Sequence, residues 1–372
     1  MHIPLVDLQA QFQSIKQEVM LEIENVLESM HLFLGPQSQA FENEFAQYCG
    51  TKYGVGLSSG TDALTLALRA CDIGQGDEVI TVANTFIATV EAIASVDAKP
   101  VFIDIDPDTY TMDWRQLGQV LTSRTRAIIP VHLYGHPVDM EPVLDFAHQH
   151  GLYVIEDASQ AHGATYKGKR VGGIGDIGCF SFYFSKNLGA YGEAGACVTN
   201  DAHLAESIRQ YRDHGSTIRY RHETLGTNAR LDEIQAAVLR VKLPYLEQWI
   251  AARKTHAKFY TEHLKELVQA IPIVRPWATH VYYVYVIQVH ERDQFRTSLE
   301  QEGIATGIHY PTPIHLQPAC SHYGYNRGML PVTETVTSHI VSLPMYAELT
   351  TEQTQKVVNA VKTSILLGFA GS

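Results

Sequence analysis

Residues 153–160 have the sequence Tyr-Val-Ile-Glu-Asp-Ala-Ser-Gln, an apolar run that ends in polar side chains at Asp157 and Gln160. Such a run is typical of a buried strand in a parallel sheet. The carboxyl end of a parallel strand lies at the edge where open α/β sheets bind ligands. The stretch therefore predicts an α/β sheet with Asp157 beside its ligand site.

Six further apolar runs of this kind occur before residue 200, at 53–57, 77–82, 100–105, 127–133, 178–183 and 196–199. An amphipathic helix over about 11–30 precedes them, and helix-like segments at 62–70, 85–95 and 140–150 separate most of them. This alternation predicts one wound, seven-stranded, mostly parallel sheet. The close spacing between 178 and 199 is compatible with antiparallel pairing.

The remainder of the chain predicts a smaller α+β unit, with long helices at 229–246 and 249–267 and a strand at 282–289. We expect a large domain over residues 1–250, including the N-terminal helix, and a smaller domain over residues 251–372. No repeat or flexible linker separates them. The functional site is therefore expected at their junction.

Composition excludes several classes of partner. The net charge of -12 gives no general attraction to nucleic acid or to an anionic membrane surface. No signal sequence is evident, and no stretch approaches the roughly 20 apolar residues of a membrane span. The five cysteines lack CxxC spacing, which indicates free buried thiols and a cytoplasmic location. No metal site is expected.

Lys186 and Asp157 are the candidate catalytic residues. Lys186 follows an apolar strand and precedes the glycine-rich stretch Asn-Leu-Gly-Ala-Tyr-Gly. A lysine leaving a buried strand can lose its proton by desolvation and attack an aldehyde, although a solvated charge is the ordinary alternative. The Asp157 carboxylate suits a protonated pyridine nitrogen, or else caps the residues that follow.

Four other residues suit a planar phosphorylated cofactor. Gly60 and Thr61 lie in a small polar turn that opens a helix, which is either a phosphate site or an ordinary capping box. Ser181 offers a second hydroxyl, and Phe86 offers an aromatic face unless it is simply core. In this order along the chain, these residues and the two catalytic candidates are what a pyridoxal phosphate site on a wound sheet requires.

With these residues assembled, the chain closely resembles the DegT/DnrJ/EryC1/StrS family of sugar aminotransferases over nearly its whole length. The family has the aspartate aminotransferase-like type I fold. The segments that carry the resemblance are Ile3-Pro-Leu-Val-Asp-Leu, Ser59-Gly-Thr-Asp-Ala-Leu, Gly76-Asp-Glu-Val-Ile-Thr, Pro130-Val-His-Leu-Tyr-Gly, Glu156-Asp-Ala-Ser-Gln-Ala-His-Gly-Ala, Lys186-Asn-Leu-Gly-Ala-Tyr-Gly, Asn228-Ala-Arg-Leu-Asp-Glu-Ile-Gln-Ala-Ala and His309-Tyr-Pro-Thr-Pro.

The resemblance implies a role for each candidate. Lys186 would carry the cofactor covalently, whereas members with histidine at this place are dehydratases, so transamination is favoured. The expected cofactor contacts are Asp157 with the pyridinium nitrogen, Gln160 near the ring hydroxyl, Phe86 stacked on the ring, Gly60, Thr61 and Ser181 on the phosphate, and Asn228 on the phosphate of the partner subunit. The active unit would thus be a homodimer with shared sites.

The resemblance also implies the substrates. L-Glutamate would donate the amino group, leaving pyridoxamine phosphate, and a nucleotide-linked keto-sugar would accept it. The Lys186 segment looks most like the branch that aminates dTDP-linked 3-keto-6-deoxyhexoses, and C-4 amination is the alternative. His309, Tyr310 and the partner's segment 216–224, with Arg219 and Tyr220, are expected at the rim.

Two departures from the family pattern flank the lysine. Ser185 stands where many relatives have proline or glycine, and Glu193-Ala194 replaces an Asp-Gly pair. Substrate placement is more affected by these changes than cofactor binding.

Two other readings remain open at this point. One is a regulatory protein that binds pyridoxal phosphate without turnover. The other is a pyridoxal phosphate lyase, which would need an arginine for its substrate's carboxylate. Arg219, Arg221 and Arg230 are the possible contacts.

Overall fold

The computed structural model describes residues 2–369. The strands of this part of the chain are β1 (Tyr53–Leu57), β2 (Glu78–Val82), β3 (Lys99–Ile103), β4 (Thr125–Ile128), β5 (Tyr153–Asp157), β6 (Thr165–Tyr166), β7 (Lys169–Arg170), β8 (Ile177–Ser181), β9 (Gly195–Thr199), β10 (Ser216–Ile218), β11 (Arg221–His222), β12 (Ala278–Thr279), β13 (Tyr285–Gln288) and β14 (Ile340–Leu343).

The helices surround and follow these strands. They are α1 (Leu8–Ser29), α2 (Pro36–Cys49), α3 (Gly60–Ala70), α4 (Ala88–Ser95), α5 (Leu117–Val120), α6 (Met140–His150), α7 (Ala202–Arg212), α8 (Glu233–Lys242), α9 (Leu246–Leu264), α10 (Arg292–Gln301), α11 (Pro331–His339) and α12 (Thr351–Phe369). Short 3-10 helices lie at Trp114–Gln116, Leu133–Gly135, Leu243–Tyr245, Ile314–Leu316 and Pro318–Tyr323.

The main sheet has seven strands in the order β1-β9-β8-β5-β4-β2-β3. Each of the seven apolar runs contributes one of them, so the predicted seven-stranded sheet is confirmed. Strand β9 pairs antiparallel with both β1 and β8, while the other pairs are parallel. The close spacing between 178 and 199 thus corresponds to one reversed strand.

Helix α8 begins four residues later than the sequence pattern predicted. The preceding residues are extended, because Arg230 bridges to Leu57 and Asp232 bridges to Phe33. The Glu233 carboxylate then accepts 2.8 Å hydrogen bonds from the backbone N–H groups of Gly35, Gln37 and Ser38. Through these contacts, the first residue of α8 caps the start of α2. Local periodicity could not predict this start of α8, because the contacts join residues far apart in the sequence.

The C-terminal part has its own apolar core around the antiparallel pair β13–β14. Residues from α9, α10 and α12 pack in this core together with Ile3 from the beginning of the chain. Residue 250 lies inside α9. The division into residues 1–250 and 251–372 stays a prediction.

The prediction of free buried thiols is confirmed, since all five cysteines are buried and free. Among residues 2–369, no helix is long and apolar enough to cross a membrane.

Candidate active site

The candidate residues meet at one edge of the main sheet. Asp157 is the last residue of β5 and Ser181 the last residue of β8, while Gly60 begins α3 directly after β1. These three strands run parallel, so their carboxyl ends lie on the same side of the sheet. Phe86 follows the end of β2 at this edge. The sequence-predicted ligand edge is therefore assembled as expected from the topology.

The turn before α3 is packed closely against Ser181. A Cβ atom on Gly60 would lie 2.5 Å from the Cβ of Ser181, a distance that leaves no room for a side chain. Ser59 caps the helix by accepting a 3.0 Å bond from the Asp62 N–H, and its hydroxyl donates to the Asp62 carboxylate at 2.8 Å. The Ser181 hydroxyl thereby sits beside the positive end of α3, where an anion is stabilised.

Asp157 is buried and held in one orientation. One carboxylate oxygen accepts a 2.9 Å hydrogen bond from the hydroxyl of Thr89, and the other accepts a 3.2 Å bond from the Ser159 N–H. The hydroxyl of Thr85 lies 2.8 Å from that of Thr89. These hydrogen bonds hold the carboxylate in one orientation, in which it can face a pyridinium nitrogen.

Gln160 links the sheet edge to the segment that carries Tyr310. Its side-chain oxygen accepts a 2.8 Å bond from the Tyr134 N–H, and its amide nitrogen donates to the Tyr310 hydroxyl at 3.1 Å. The Tyr310 ring is 5.4 Å from the ring of Phe86. Phe86 is 52% exposed, so its ring is accessible to a ligand.

Lys186 lies in the same cluster. Its Nζ atom is 4.6 Å from the ring centroid of Tyr283, within the range of a cation–π contact. Burial lowers the pKa of His309 to about 4, and the positive charge of Lys186 adds to that shift. The same two causes lower the pKa of His162 to about 3. Both imidazoles are therefore neutral at physiological pH beside the lysine.

Three further candidates are exposed on the surface of the same chain. Asn228 is exposed and pairs with the backbone of Asp213. Arg219 and Tyr220 form the tip between β10 and β11, where the guanidinium lies 3.2 Å from the tyrosine hydroxyl and the Tyr220 side chain is 82% exposed. Their contribution to a partner's site stays a prediction.

The other two arginines considered for a substrate carboxylate have partners. Arg221 pairs with Glu223 at 2.9 Å. Arg230 pairs with Asp213 at 3.1 Å and lies 4.3 Å from the ring centroid of Phe33.

Sequence reasoning missed Thr89, Tyr134 and Tyr283. Thr89 follows Phe86 by three residues, and the helical pattern there could have placed both on one face. Tyr134 follows the Pro130-Val-His-Leu run in a 3-10 turn with a left-handed backbone. Tyr283 lies in the segment between β12 and β13, and its backbone N–H donates to the Tyr134 carbonyl at 3.0 Å. No local pattern predicts that long-range contact.

A planar, phosphorylated pyridine aldehyde suits this set of donors. The carboxylate of Asp157 matches a ring nitrogen, the face of Phe86 matches the ring, and the amine of Lys186 matches the aldehyde. The tight approach of Gly60 to Ser181 forms a cradle for the phosphate that a Cβ atom would fill. The residues present therefore fit pyridoxal phosphate.

Comparison with known proteins agrees with this geometry. A model of the DegT/DnrJ/EryC1/StrS aminotransferase family matches residues 13–362. The chain is 46% identical over 365 residues to a pleiotropic regulatory protein of Geobacillus stearothermophilus, with 97% of this chain and 98% of that protein covered. Nearly the whole length of the chain therefore contributes to the likeness.

Two enzymes are similarly related. A UDP-N-acetyl-3-dehydro-α-D-glucosamine 3-aminotransferase of Acidithiobacillus ferrooxidans is 45% identical, with 98% of each chain covered. A dTDP-3-amino-3,4,6-trideoxy-α-D-glucose transaminase of Streptomyces venezuelae is 43% identical, covering 97% of this chain and 95% of that one. The solved structure of DesV from S. venezuelae in complex with a ketimine intermediate superposes with a TM-score of 0.96 at 42% identity, covering 98% of both chains.

Proposed function

Because this chain belongs to the DegT/DnrJ/EryC1/StrS aminotransferase family, we propose that it moves an amino group from L-glutamate to the 3-keto group of a dTDP-linked 6-deoxyhexose. The coarser part of this statement follows from membership, since the chain is a pyridoxal-phosphate-dependent transaminase of nucleotide-linked sugars. A lyase acting on amino acids is thereby set aside.

The observation that carries the proposal is the position of Lys186 at the sheet edge. Its amine lies over the ring of Tyr283, and its positive charge helps to lower the pKa of His309. When bound, pyridoxal phosphate supplies an aldehyde carbon that receives the amino group and a ring that withdraws electrons from it. Lys186 would take the proton from the α-carbon of glutamate and deliver it to the C4′ carbon of the cofactor. For the sugar it would move the proton in the opposite direction.

The other residues hold the reacting groups in place. Asp157, fixed by Thr89 and Ser159, keeps a proton on the ring nitrogen. Gly60 and Thr61 at the start of α3, together with Ser181, bind the phosphate. Gln160 is held by its hydrogen bonds to Tyr134 and Tyr310, and would present its side-chain amide to the cofactor ring. The protein's contribution is orientation and electrostatics.

The choice of a dTDP-linked sugar and of position 3 rests on likeness to relatives. The S. venezuelae relative is named for a dTDP-linked 3-amino sugar. The A. ferrooxidans relative is also named for amination at position 3, but on a UDP-linked sugar. Position 3 thus has support from both names, and dTDP from one. C-4 amination is the alternative.

We also propose a cytoplasmic homodimer with shared sites. Asn228 is exposed on its own chain, as a residue supplied to a partner must be. Large apolar side chains on and after α1 are also exposed, including Met20, Leu27, Met30 and Phe33. An apolar surface of this kind favours burial against a second copy. The free thiols suit the reducing cytoplasm.

A second candidate is a regulatory protein that binds pyridoxal phosphate without turnover. The name of the G. stearothermophilus relative favours it. The likeness to two named sugar aminotransferases, and to a solved structure that contains a ketimine intermediate, opposes it. Product formation separates the two.

The test is transfer of labelled nitrogen. Purified protein with pyridoxal phosphate and ¹⁵N-glutamate is incubated with dTDP-linked 3-keto, dTDP-linked 4-keto or UDP-linked 3-keto sugars, and the products are analysed by mass spectrometry and NMR. We expect ¹⁵N at C3 of the dTDP-linked 3-keto sugar. Label at C4, or label on the UDP-linked sugar alone, would redirect the substrate assignment, and no label on any sugar would contradict the function.

A further inference from the structure

A buried lysine outside the catalytic cluster contacts the loop that follows Lys186. Residues 186–191 are called the lysine loop below. Helix α8 presents Gln235 and Lys242 to this loop, seven residues apart and so two turns apart on one face. We propose that Lys242 and Gln235 are positioning residues that hold the lysine loop and thereby aim Lys186. The inference rests on the proposed catalytic role of Lys186.

Lys242 is fully buried, with 0% of its side chain exposed. Its Nζ atom donates a 2.7 Å hydrogen bond to the Gly189 carbonyl and lies 3.9 Å from the ring centroid of Tyr191. Burial lowers the pKa of Lys242 to about 7, and the negative charge of Glu348 opposes that shift. Burying a lysine is costly, so a leucine or methionine would serve packing better. What the lysine adds is the bond to the loop.

Gln235 holds the end of the same loop. Its side-chain oxygen accepts a 2.9 Å bond from the Tyr191 N–H, and its amide nitrogen donates to the Tyr191 carbonyl at 3.3 Å. Between these contacts, the Ala190 N–H donates to the Phe182 carbonyl at 2.8 Å. At the other end of the loop, the amide of Asn187 donates to the Val281 carbonyl at 3.2 Å.

The consequence reaches Lys186 through the backbone. A buried carbonyl without a partner is unfavourable, so loss of Lys242 forces Gly189 to find water or another donor. The backbone at Gly189 is closely packed, since a Cβ atom there would lie 2.4 Å from the Phe184 carbonyl oxygen. We therefore expect the lysine loop to shift as a whole. A shift of about 1 Å at a catalytic base is enough to slow proton transfer strongly.

The experiment uses three variants of the full-length protein. Lys242→Met removes the donor and keeps the rest of the unbranched side chain, and Gln235→Ala removes the second contact. Arg240→Met is the matched control, since Arg240 is on the same helix but pairs with Glu44 at 2.7 Å, away from the loop. Amide hydrogen exchange of the lysine loop is measured first, without any substrate. The rate at which saturating L-glutamate converts the bound cofactor is measured next.

We expect Lys242→Met to speed exchange at Ala190 and Tyr191, and to slow the glutamate half-reaction, each on the order of tenfold. The glutamate concentration for half-saturation should stay unchanged, because the loss is in aiming the base and not in binding. Gln235→Ala should act in the same direction, and Arg240→Met should match the wild type.

Unchanged exchange and rate in Lys242→Met would overturn the proposal. If that variant does not fold, Gln235→Ala decides alone, and unchanged exchange in it overturns the proposal equally. Failure of the wild type to react with glutamate would contradict the proposed function instead. The hydrogen-exchange measurement would still test whether α8 holds the lysine loop in place.

Discussion

The hydroxyl of Thr89 donates a 2.9 Å hydrogen bond to the carboxylate of Asp157, and both side chains are buried. Thr89 is on α4 and Asp157 ends β5, so the bond joins two elements that are separated by about a fifth of the chain. It fixes the carboxylate plane before a cofactor arrives. Thr89 therefore orients the group on which the electron-withdrawing ring depends.

Replacing Thr89 by valine keeps its shape and removes this bond. A hydrogen bond to a charged group contributes about 1.5–3 kcal/mol, so we expect a roughly tenfold or greater loss of the glutamate half-reaction rate. Thr89→Ser keeps the hydroxyl and should stay near the wild type, while Asp157→Asn should be worse than Thr89→Val. Stopped-flow absorbance measures all three. Equal rates for the valine and serine variants would show that the bond does not matter.

Gly60 is predicted to tolerate no side chain. Alanine there would place its Cβ 2.5 Å from the Cβ of Ser181 and force the phosphate cradle open. We expect Gly60→Ala to weaken pyridoxal phosphate binding by on the order of tenfold or more. Gly118→Ala is the control, because its Cβ would meet its nearest neighbour, Phe146, only at 4.0 Å. Fluorescence titration of the cofactor measures the difference. Equal affinities would contradict the cradle.

Stability should fall on acidification because buried histidines are held neutral. The pKa values of His136, His162 and His309 are lowered to about 4, 3 and 4 from the ordinary 6.5, with burial as the main cause. Between these values and 6.5 the unfolded chain binds more protons than the folded one. The free energy of unfolding therefore decreases as the pH falls from about 6.5, and levels off below the folded-state values.

One variant tests the assignment to His162. Its ring lies 5.4 Å from the rings of both Phe180 and Phe182, so phenylalanine suits the space. His162→Phe should flatten the pH dependence of urea unfolding between about pH 6.5 and 4. An unchanged slope would mean that protonation of His162 does not contribute to the loss of stability at low pH.

Shared sites can be tested by mixing inactive subunits. In a hybrid of Lys186→Ala and Asn228→Ala chains, one of the two sites combines the intact lysine of one chain with the intact asparagine of the other. Random mixing should therefore restore about a quarter of wild-type activity to the mixture. Lys186→Ala mixed with Asp157→Asn is the control and should restore none, since both residues belong to the same chain's site. No restoration in the first mixture would contradict donation of Asn228.

Much of this site could be predicted from the sequence, because strand periodicity and strand ends locate Asp157, Ser181 and Gly60. These are local signals that the parallel topology then brings to one edge. Tyr283 and Lys242 could not be predicted. Each reaches its contact through packing of elements that are far apart in the chain. Neither a tyrosine between two strands nor a lysine at the end of a helix stands out in the local sequence pattern. The start of α8 was misplaced for the same reason, since Arg230 bridges to Leu57 of β1 and Asp232 bridges to Phe33, both far away in the sequence.

The central claim is that Lys186 performs transamination, and an absorbance spectrum tests it most directly. The wild-type protein with pyridoxal phosphate is recorded alone, after L-glutamate, and after the dTDP-linked 3-keto sugar, beside Lys186→Ala. We predict a cofactor band that shifts with glutamate and returns with the sugar in the wild type, and no such cycle in the variant. A wild-type spectrum that glutamate leaves unchanged, or a variant that cycles like the wild type, would contradict the account.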